Sequence, residues 1–293
     1  MYEIFTDTAA NLDGSLLNEL GVGLIPFSFF YNGEEHRVTS LDTFDGHAYY
    51  DMMRAGTEVT TSLVDPQRYI DGFTPLLETG RDILFVGMSG GISGSYTSAE
   101  VAAATLREEF PERKIRLVDT LSASLAEGLL VIKAVESRAE GLSLDETADR
   151  LLESRHRMCQ VFTVGNLKYL KRGGRISNLK AAVGTVLQIK PLLKGDPEGK
   201  IVCFGQVRGR KKSIEIMAEQ YNRYAENAEA ETIGIAHADC PEDAEALIAL
   251  LNRSHPPKNV ILACYEPMTG AHVGPDALAL FFYGKKEFRP AMK

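Results

Sequence analysis

Residues 83–119 read ILFVGMSGGISGSYTSAEVAAATLREEFPERKIRLVD, and this stretch decides the fold. It begins with a short apolar strand, Ile83–Gly87, which runs into a loop of glycine and serine. A helix from about Ser93 to Phe110 follows, and then a second strand, Ile115–Asp119. Strand, helix and strand in this order form the crossover that joins parallel strands. The stretch therefore predicts an α/β fold with a parallel sheet covered by helices.

The flanking sequence extends this alternation through the first half of the chain. Asn32-Gly33 supplies the positive φ angles of a hairpin turn after a long apolar strand, Val22–Phe30. Asp65-Pro66 predicts a helix start, with proline in the first turn. The other elements predicted here are the strand Tyr2–Thr6 and the helices Asp13–Leu20, Phe44–Ala55, Asp65–Glu78 and Ser124–Glu140.

The second half favours a mixed sheet with helices packed on it. Ser143 and Glu146 have the spacing of a capping box and predict a further helix that ends near Met158. Strands are predicted at 160–164, 201–207, 232–237, 260–266 and 278–283, and helices at 212–228 and 241–254. We predict two domains, residues 1–158 and residues 159–293. No linker rich in proline or serine separates them, so we expect them to be closely apposed.

Composition excludes several classes of protein. The net charge of −8 argues against general nucleic-acid binding. Four dispersed cysteines form neither a zinc site nor a disulfide framework, which favours a reducing, cytoplasmic location. No signal peptide precedes the first strand, and no apolar run is long enough to span a membrane, so we expect no stable membrane insertion.

One segment is strongly basic. Residues 166–212 contain twelve Lys or Arg against only Asp196 and Glu198, a local charge of +10 that leaves −18 for the remainder. A block of this kind either handles an anion or an acidic partner, or is simply a solvated loop region.

The glycine-serine loop, residues 87–95, is the first candidate site. Ligands of open α/β sheets bind at the carboxyl ends of strands, and the free N–H groups of a helix start attract anions. Ser93 is therefore either a donor to a carboxylate or phosphate or only an N-cap. The loop lacks the lysine of a Walker A motif. It does contain GxSxG, which leaves a serine hydrolase open, with Ser89 as nucleophile and His237 or His272 as base.

Three further segments extend the candidate anion site. Thr61 and its neighbours place hydroxyls ahead of a helix, where they either bind an acidic oxygen or form a turn. Gly173-Gly174 permits a sharp turn or a close approach just before Arg175, whose guanidinium suits carboxylate or phosphate. Arg208 lies in a second cluster of cations around glycine, and His272 is expected to lie in a tight Gly-Pro turn. No spacing predicts a metal or a nucleophile-base pair, so the residues by themselves predict an anion-binding site.

Taken in order, these segments resemble the DegV family of bacterial fatty-acid-binding proteins over nearly the whole chain. The segments that carry the resemblance are Thr6–Leu12, Thr61-Ser62, Ser89–Tyr96, Val118–Thr120 with Ser124, Leu167–Ser177, Val207–Lys212 and His272–Pro275. Two positions depart from the family pattern, because Leu63-Val64 replaces Gln-Pro and Ser89-Gly90 replaces paired serines.

The resemblance implies two α/β domains, the first three-layered with a parallel sheet and the second with a mixed sheet, and one long-chain fatty acid in a tunnel between them. It implies no cofactor. The protein would be the non-catalytic binding subunit that presents the carboxylate to a separate ATP-dependent fatty acid kinase subunit. The implied ligand-binding residues are Thr61, Ser62, Ser93, Gly94, Arg175 and His272. Those implied near the head group or partner surface are Lys168, Arg172 and Arg208. Binding of another anionic lipid or small acid is a further possibility.

Overall fold

The computed structural model describes residues 2–176 and 188–290. Residues 177–187 of the basic segment 166–212 therefore lie outside the described residues. The described strands are β1 Tyr2–Asp7, β2 Val22–Ile25, β3 Ser28–Tyr31, β4 Glu34–Arg37, β5 Thr60–Thr61, β6 Asp82–Gly87, β7 Ile115–Asp119, β8 Met158–Thr163, β9 Ile189–Gly195, β10 Ile201–Arg208, β11 Thr232–His237, β12 Asn259–Cys264 and β13 Leu278–Tyr283. The described α-helices are α1 Gly14–Leu20, α2 Gly46–Arg54, α3 Pro66–Glu78, α4 Ser95–Glu109, α5 Leu125–Ala139, α6 Leu144–Ser154, α7 Lys168–Gly173, α8 Arg210–Tyr224, α9 Pro241–Ser254 and α10 Pro267–Val273.

The first sheet is parallel, with the order β2-β1-β6-β7. Helices α3 and α4 pack on one face, and α5 and α6 pack on the other. Most side chains of the central strands β1 and β6 are buried, as expected of a parallel sheet covered on both faces. The predicted three-layer first domain is confirmed.

The second sheet is mixed, with the order β10-β9-β8-β13-β11-β12, in which only β11 and β12 pair in parallel. Helices α8 and α9 cover one face, whereas α5 contacts strands β8, β11 and β13. Helix α5 therefore packs against both sheets. This arrangement brings the start of α5 and the end of β1 to the junction between the sheets. The domain division after residue 158 stays a prediction.

A third, small sheet has the order β4-β3-β5 and corrects one predicted strand. Residues 22–30 were expected to be continuous, but they form β2 and β3 with Pro26 between them. Proline has no N–H for a ladder, so the chain leaves the first sheet there. The predicted hairpin turn is confirmed, with Asn32 and Gly33 at φ angles of 51° and 81°. Strand β5 pairs Thr61 with Phe29.

Three elements of the second half escaped prediction, namely helix α7, strand β9 and helix α10. Strand β9 contains Pro191 and two lysines, which obscure its alternation. The segment around His272, expected to be a tight turn, instead belongs to α10, which Glu266 caps and Pro267 begins. Proline is a standard first residue of a helix, but glutamate is not among the usual caps, and the glycine at 270 also masked the short helix. Among the described helices, none is long and apolar enough to cross a bilayer.

Candidate functional site

A small cavity of about 30 Å³ lies where the loops of the first sheet meet α10 and the segment after α7. We call it the mouth cavity. Its lining combines hydroxyls, one imidazole and one guanidinium with apolar side chains. The lining residues are Phe27, Thr61, Ser62, Leu63, Met88, Ile92, Ser93, Arg175, Met268, Thr269 and His272. Five of the six predicted ligand-binding residues therefore meet here, although they come from four separate segments.

Thr61 and His272 form the polar centre of the mouth cavity. The Oγ1 atom of Thr61 lies 2.8 Å from Nε2 of His272. Burial, together with the positive charges of the neighbouring Arg175 and Arg172, lowers the pKa of His272 to about 4. The imidazole is therefore neutral at neutral pH, when it offers one N–H donor and one acceptor. When Nε2–H donates to the Thr61 oxygen, the Thr61 hydroxyl is free to donate its own proton to a ligand.

The Gly-Gly pair lets α7 approach this histidine. A Cβ atom at Gly173 would lie 2.3 Å from Nδ1 of His272, so only glycine fits there. Gly174 ends the helix at φ +67° and turns the chain toward Arg175. The Arg175 guanidinium then donates from Nε to the carbonyl oxygen of Ile92 at 3.3 Å, and also to the carbonyl oxygen of Gly173. These bonds hold its charge at the mouth.

Ser93 lies in the lining of the mouth cavity and bonds to the first residue of α4, but it is not the N-cap of that helix. Its hydroxyl accepts the N–H of Ser95 at 3.2 Å and donates to the Ser95 hydroxyl at 3.0 Å. Helix α4 starts at Ser95, two residues later than predicted, with Gly94 as its N-cap residue. Ser93 lines the mouth cavity, whereas Gly94 does not. The Ser93 oxygen retains a lone pair that can accept a hydrogen bond. The Ser93 hydroxyl can donate to a ligand only if it rotates and breaks its hydrogen bond to the Ser95 oxygen.

The three predicted head-group or partner cations lie outside the cavity lining. Arg172 pairs with Glu58 at 3.2 Å and donates to the carbonyl oxygen of Val59. Lys168 is exposed, with Nζ 4.7 Å from the centre of the Tyr169 ring. Arg208 is exposed at the end of β10. Lys168 and Arg172 share α7 and flank the mouth, while Arg208 belongs to the second sheet.

A second cavity of about 40 Å³, the deep cavity, lies between the start of α5 and the second sheet. Its lining is mostly apolar: Ile92, Ala123, Ser124, Gln160, Phe162, Gly195, Ile201, Tyr265, Thr269, Val273 and Phe281. Ile92 and Thr269 line both cavities and separate the polar mouth from the apolar interior. Sequence reasoning missed these residues. Gln160 and Phe162 alternate along β8, but no pattern marks which face of the sheet meets the cavity.

The hydrolase alternative finds no support in this geometry. Ser89 is fully buried, and its hydroxyl donates to the carbonyl oxygen of Gly199 at 3.0 Å. Neither candidate base is its partner, because His272 pairs with Thr61 and His237 Nδ1 accepts the N–H of Cys240 at 3.3 Å. The serine of the GxSxG match therefore has a structural role, because it joins the glycine-serine loop to Gly199.

Sequence reasoning also missed a surface cluster of opposite charges. His47 Nδ1 lies 3.1 Å from Asp239, and its Nε2 lies 3.3 Å from Asp51. These three groups have the types and spacing of metal ligands. Arg54, however, lies 2.9 Å from Asp51 and 2.5 Å from Asp239. The Arg54 guanidinium already pairs with both carboxylates, so the cluster acts as an ion-pair contact between α2 and the loop after β11.

Three buried carboxyl groups lie behind the mouth cavity. Burial raises the pKa of Asp7 to about 6 and that of Glu266 to about 7, against hydrogen bonds from backbone N–H groups that lower both. Burial, and next the charge of Asp7, raises the pKa of Glu127 well above its usual value. These acids lie far apart in the sequence, so no spacing pattern could have grouped them.

Known proteins resemble the chain over almost its entire length. Residues 1–285 match a family described as "Uncharacterised protein, DegV family". A DegV domain-containing protein of Clostridium perfringens is 35% identical over 284 residues, which cover 97% of each chain. A solved DegV family protein of Thermus thermophilus, described as binding fatty acid, has a TM-score of 0.87 at 29% identity and covers 97% of this chain and 99% of its own. A fatty acid binding DegV family protein of Streptococcus agalactiae gives 0.85 at 27% identity, with coverage of 97% and 99%.

Proposed function

Because the chain belongs to the DegV family, we propose that it binds one long-chain fatty acid between its two α/β domains and presents the carboxylate at the mouth cavity. The observation that carries this proposal is the contact between a polar cavity and an apolar one. The mouth offers Thr61, His272 and Arg175, and the deep cavity continues from it through Ile92 and Thr269.

This arrangement matches the two halves of a fatty acid. Each methylene transferred out of water contributes ~0.8 kcal/mol, so an apolar lining supplies most of the affinity. A carboxylate is an acceptor only, and burying it without donors is costly. The Thr61 hydroxyl, whose oxygen can accept the His272 N–H, and the Arg175 guanidinium supply such donors at one end. The site would therefore orient the acid with its carboxylate outward.

Binding would require the cavity walls to move. Volumes of about 30 and 40 Å³ hold only a few water molecules, far less than a long acyl chain. Ile92 and Thr269, which line both cavities, are the side chains that must separate for one continuous tunnel to form. A bound fatty acid should accordingly slow the hydrogen exchange of the backbone N–H groups around Ile92 and Thr269.

We further propose that a separate ATP-dependent kinase subunit phosphorylates the presented carboxylate. The support is the basic surface around the mouth, where Lys168 and Arg172 lie on α7. Exposed cations attract an acidic partner surface and speed its association. In this scheme the chain contributes binding and orientation, and the partner contributes the phosphoryl transfer.

Mass spectrometry of the purified protein tests the proposal, first under native conditions and then after organic extraction. We expect a stoichiometric adduct that extracts as a free fatty acid, or uptake of added oleate or palmitate by protein without one. An adduct of another acid would instead favour a carrier of a different anionic lipid or small acid. Failure to take up any fatty acid would contradict the proposal.

A further inference from the structure

The segment Thr6–Leu12, at the carboxyl end of β1, carries four polar side chains that are almost fully buried. Thr6, Asp7, Thr8 and Asn11 are each exposed by 2% or less. Burying a polar group without a partner costs free energy, so the partners of these groups indicate what the segment does. None of the four lines the mouth cavity or the deep cavity.

Asp7 holds the glycine-serine loop. Its Oδ1 accepts the N–H of Ala9 at 2.9 Å, and its Oδ2 accepts the N–H of Met88 at 3.0 Å. Met88 lines the mouth cavity. One carboxylate thus joins its own turn to the first residue after β6.

Thr8 holds the segment between β2 and β3. Its Oγ1 accepts the N–H of Phe27 at 3.0 Å and donates to the carbonyl oxygen of Val38 at 3.3 Å. Phe27 also lines the mouth cavity. Since the chain leaves the first sheet at Pro26, the Thr8 hydroxyl replaces the ladder partner that Phe27 lacks there.

Asn11 reaches the other domain. It adopts φ 56°, and its Oδ1 accepts the N–H of Glu266 at 2.9 Å. The Glu266 carboxylate in turn accepts the N–H groups of Met268 at 2.5 Å and Thr269 at 2.8 Å, the first turn of α10. Helix α10 carries three residues of the mouth lining, including His272.

We propose that Thr6–Leu12 is a positioning element of the head-group site. Through Asp7, Thr8 and Asn11 it fixes the backbone position of three separate segments that line the mouth cavity. It thereby orients the hydrogen-bond donors of the cavity toward the carboxylate of the fatty acid, although it lies outside the cavity itself. A close fit supports this role, because a Cβ atom at Gly128 of α5 would lie 2.6 Å from the carbonyl oxygen of Ala10. This inference rests on the proposed function.

The test separates head-group recognition from general stability. Affinities for oleate and for oleyl alcohol, which has the same chain without the carboxylate, are measured by displacement of a fluorescent fatty acid. In Thr8→Val and in Asn11→Gly, which still permits the positive φ, we expect the preference for oleate over the alcohol to fall about tenfold, the loss expected for one misplaced hydrogen bond to a charged group. Thr8→Ser, which keeps the hydroxyl, should restore it.

The matched control is Thr147→Val, which removes a buried hydrogen bond to the Tyr2 hydroxyl, 2.8 Å long, in the same domain. It should reduce stability without changing the preference. If folded Thr8→Val and Asn11→Gly keep the wild-type preference, or lose oleate and alcohol equally, the positioning role is overturned. Failure of the wild-type protein to bind oleate would instead contradict the proposed function itself.

Discussion

The Thr61 hydroxyl lies 2.8 Å from Nε2 of His272, although 211 positions separate the two residues. Thr61 belongs to β5, which pairs with β3, and His272 belongs to the last turn of α10. Their contact brings a hydroxyl and a neutral imidazole into the same cavity as Arg175. A carboxylate bound there would raise the pKa of His272, because an anion favours the charged imidazole.

Removing a hydroxyl from the mouth cavity should weaken fatty-acid binding. In Thr61→Val and Ser93→Ala we expect affinity to fall by about 1.5–3 kcal/mol, the range for a hydrogen bond to a charged group. Calorimetric titration with oleate measures this loss, and circular dichroism checks that the fold is retained. Unchanged affinity in folded Ser93→Ala would remove Ser93 from the site and leave it only as a hydrogen-bond partner of Ser95 at the start of α4.

Gly173→Ala should damage the site more than the fold. The new Cβ would lie 2.3 Å from Nδ1 of His272, so the imidazole must shift and oleate affinity should fall about tenfold. Gly174→Ala is the matched control, because a Cβ there meets nothing within 4 Å, although φ is +67°. It should cost about 1 kcal/mol of stability with little effect on binding. Equal affinities in the two variants would contradict the close approach.

The buried His272 should make stability depend on acidity. Its pKa falls from 6.5 to about 4 on folding, so between these values the folded protein binds fewer protons than the unfolded chain. The stabilisation is full above pH 6.5 and is lost as the pH falls toward 4. Compared with His272→Gln, the wild-type protein should lose about 1–3 kcal/mol of unfolding free energy between pH 7 and pH 4.5. The free energy of unfolding is measured by urea denaturation at each pH. If it changes equally with pH in the two proteins, the lowered pKa of His272 is excluded.

Glu127 should show the opposite dependence. Burial raises its pKa above 4.5, so its contribution to stability is full below that pH and is lost as the pH rises through the folded value. Glu127→Gln should therefore gain stability relative to the wild-type protein between pH 5 and pH 8, measured by urea denaturation. Glu146→Gln should lose relative stability instead as the pH rises through the pKa of Glu146, since Ser143 lowers that pKa in the capping box. A stability difference between Glu127→Gln and the wild-type protein that does not change with pH would refute the prediction.

Two arginines should separate binding from presentation. Arg175 lines the mouth cavity, whereas Arg208 is exposed on β10. With a partner kinase, Arg208→Ala should slow phosphorylation of bound oleate severalfold with unchanged oleate affinity. Arg175→Ala should reduce both. Wild-type rates for Arg208→Ala would place the partner surface elsewhere, and unchanged affinity for Arg175→Ala would mean that its guanidinium serves the partner alone.

The sequence by itself determined the local elements and the kinds of residue that could recognise an anion. The crossover at 83–119, the Asn32-Gly33 hairpin and the Ser143–Glu146 capping box follow from periodicity and backbone preferences that act over a few residues. It also singled out Thr61, Ser93, Arg175 and His272 as possible donors, with the family pattern supplying their order.

Only the tertiary structure decided which of these residues meet. The Thr61–His272 contact, the apolar cavity behind it and the shared placement of α5 between two sheets depend on packing between distant segments, which no local pattern encodes. The same holds for Asp7, Thr8 and Asn11, whose partners in the mouth-lining segments or next to them lie from 19 to 255 positions away. Side-chain hydrogen bonds are short-ranged in space but not in sequence, so their partners become defined only when distant segments of the chain pack together.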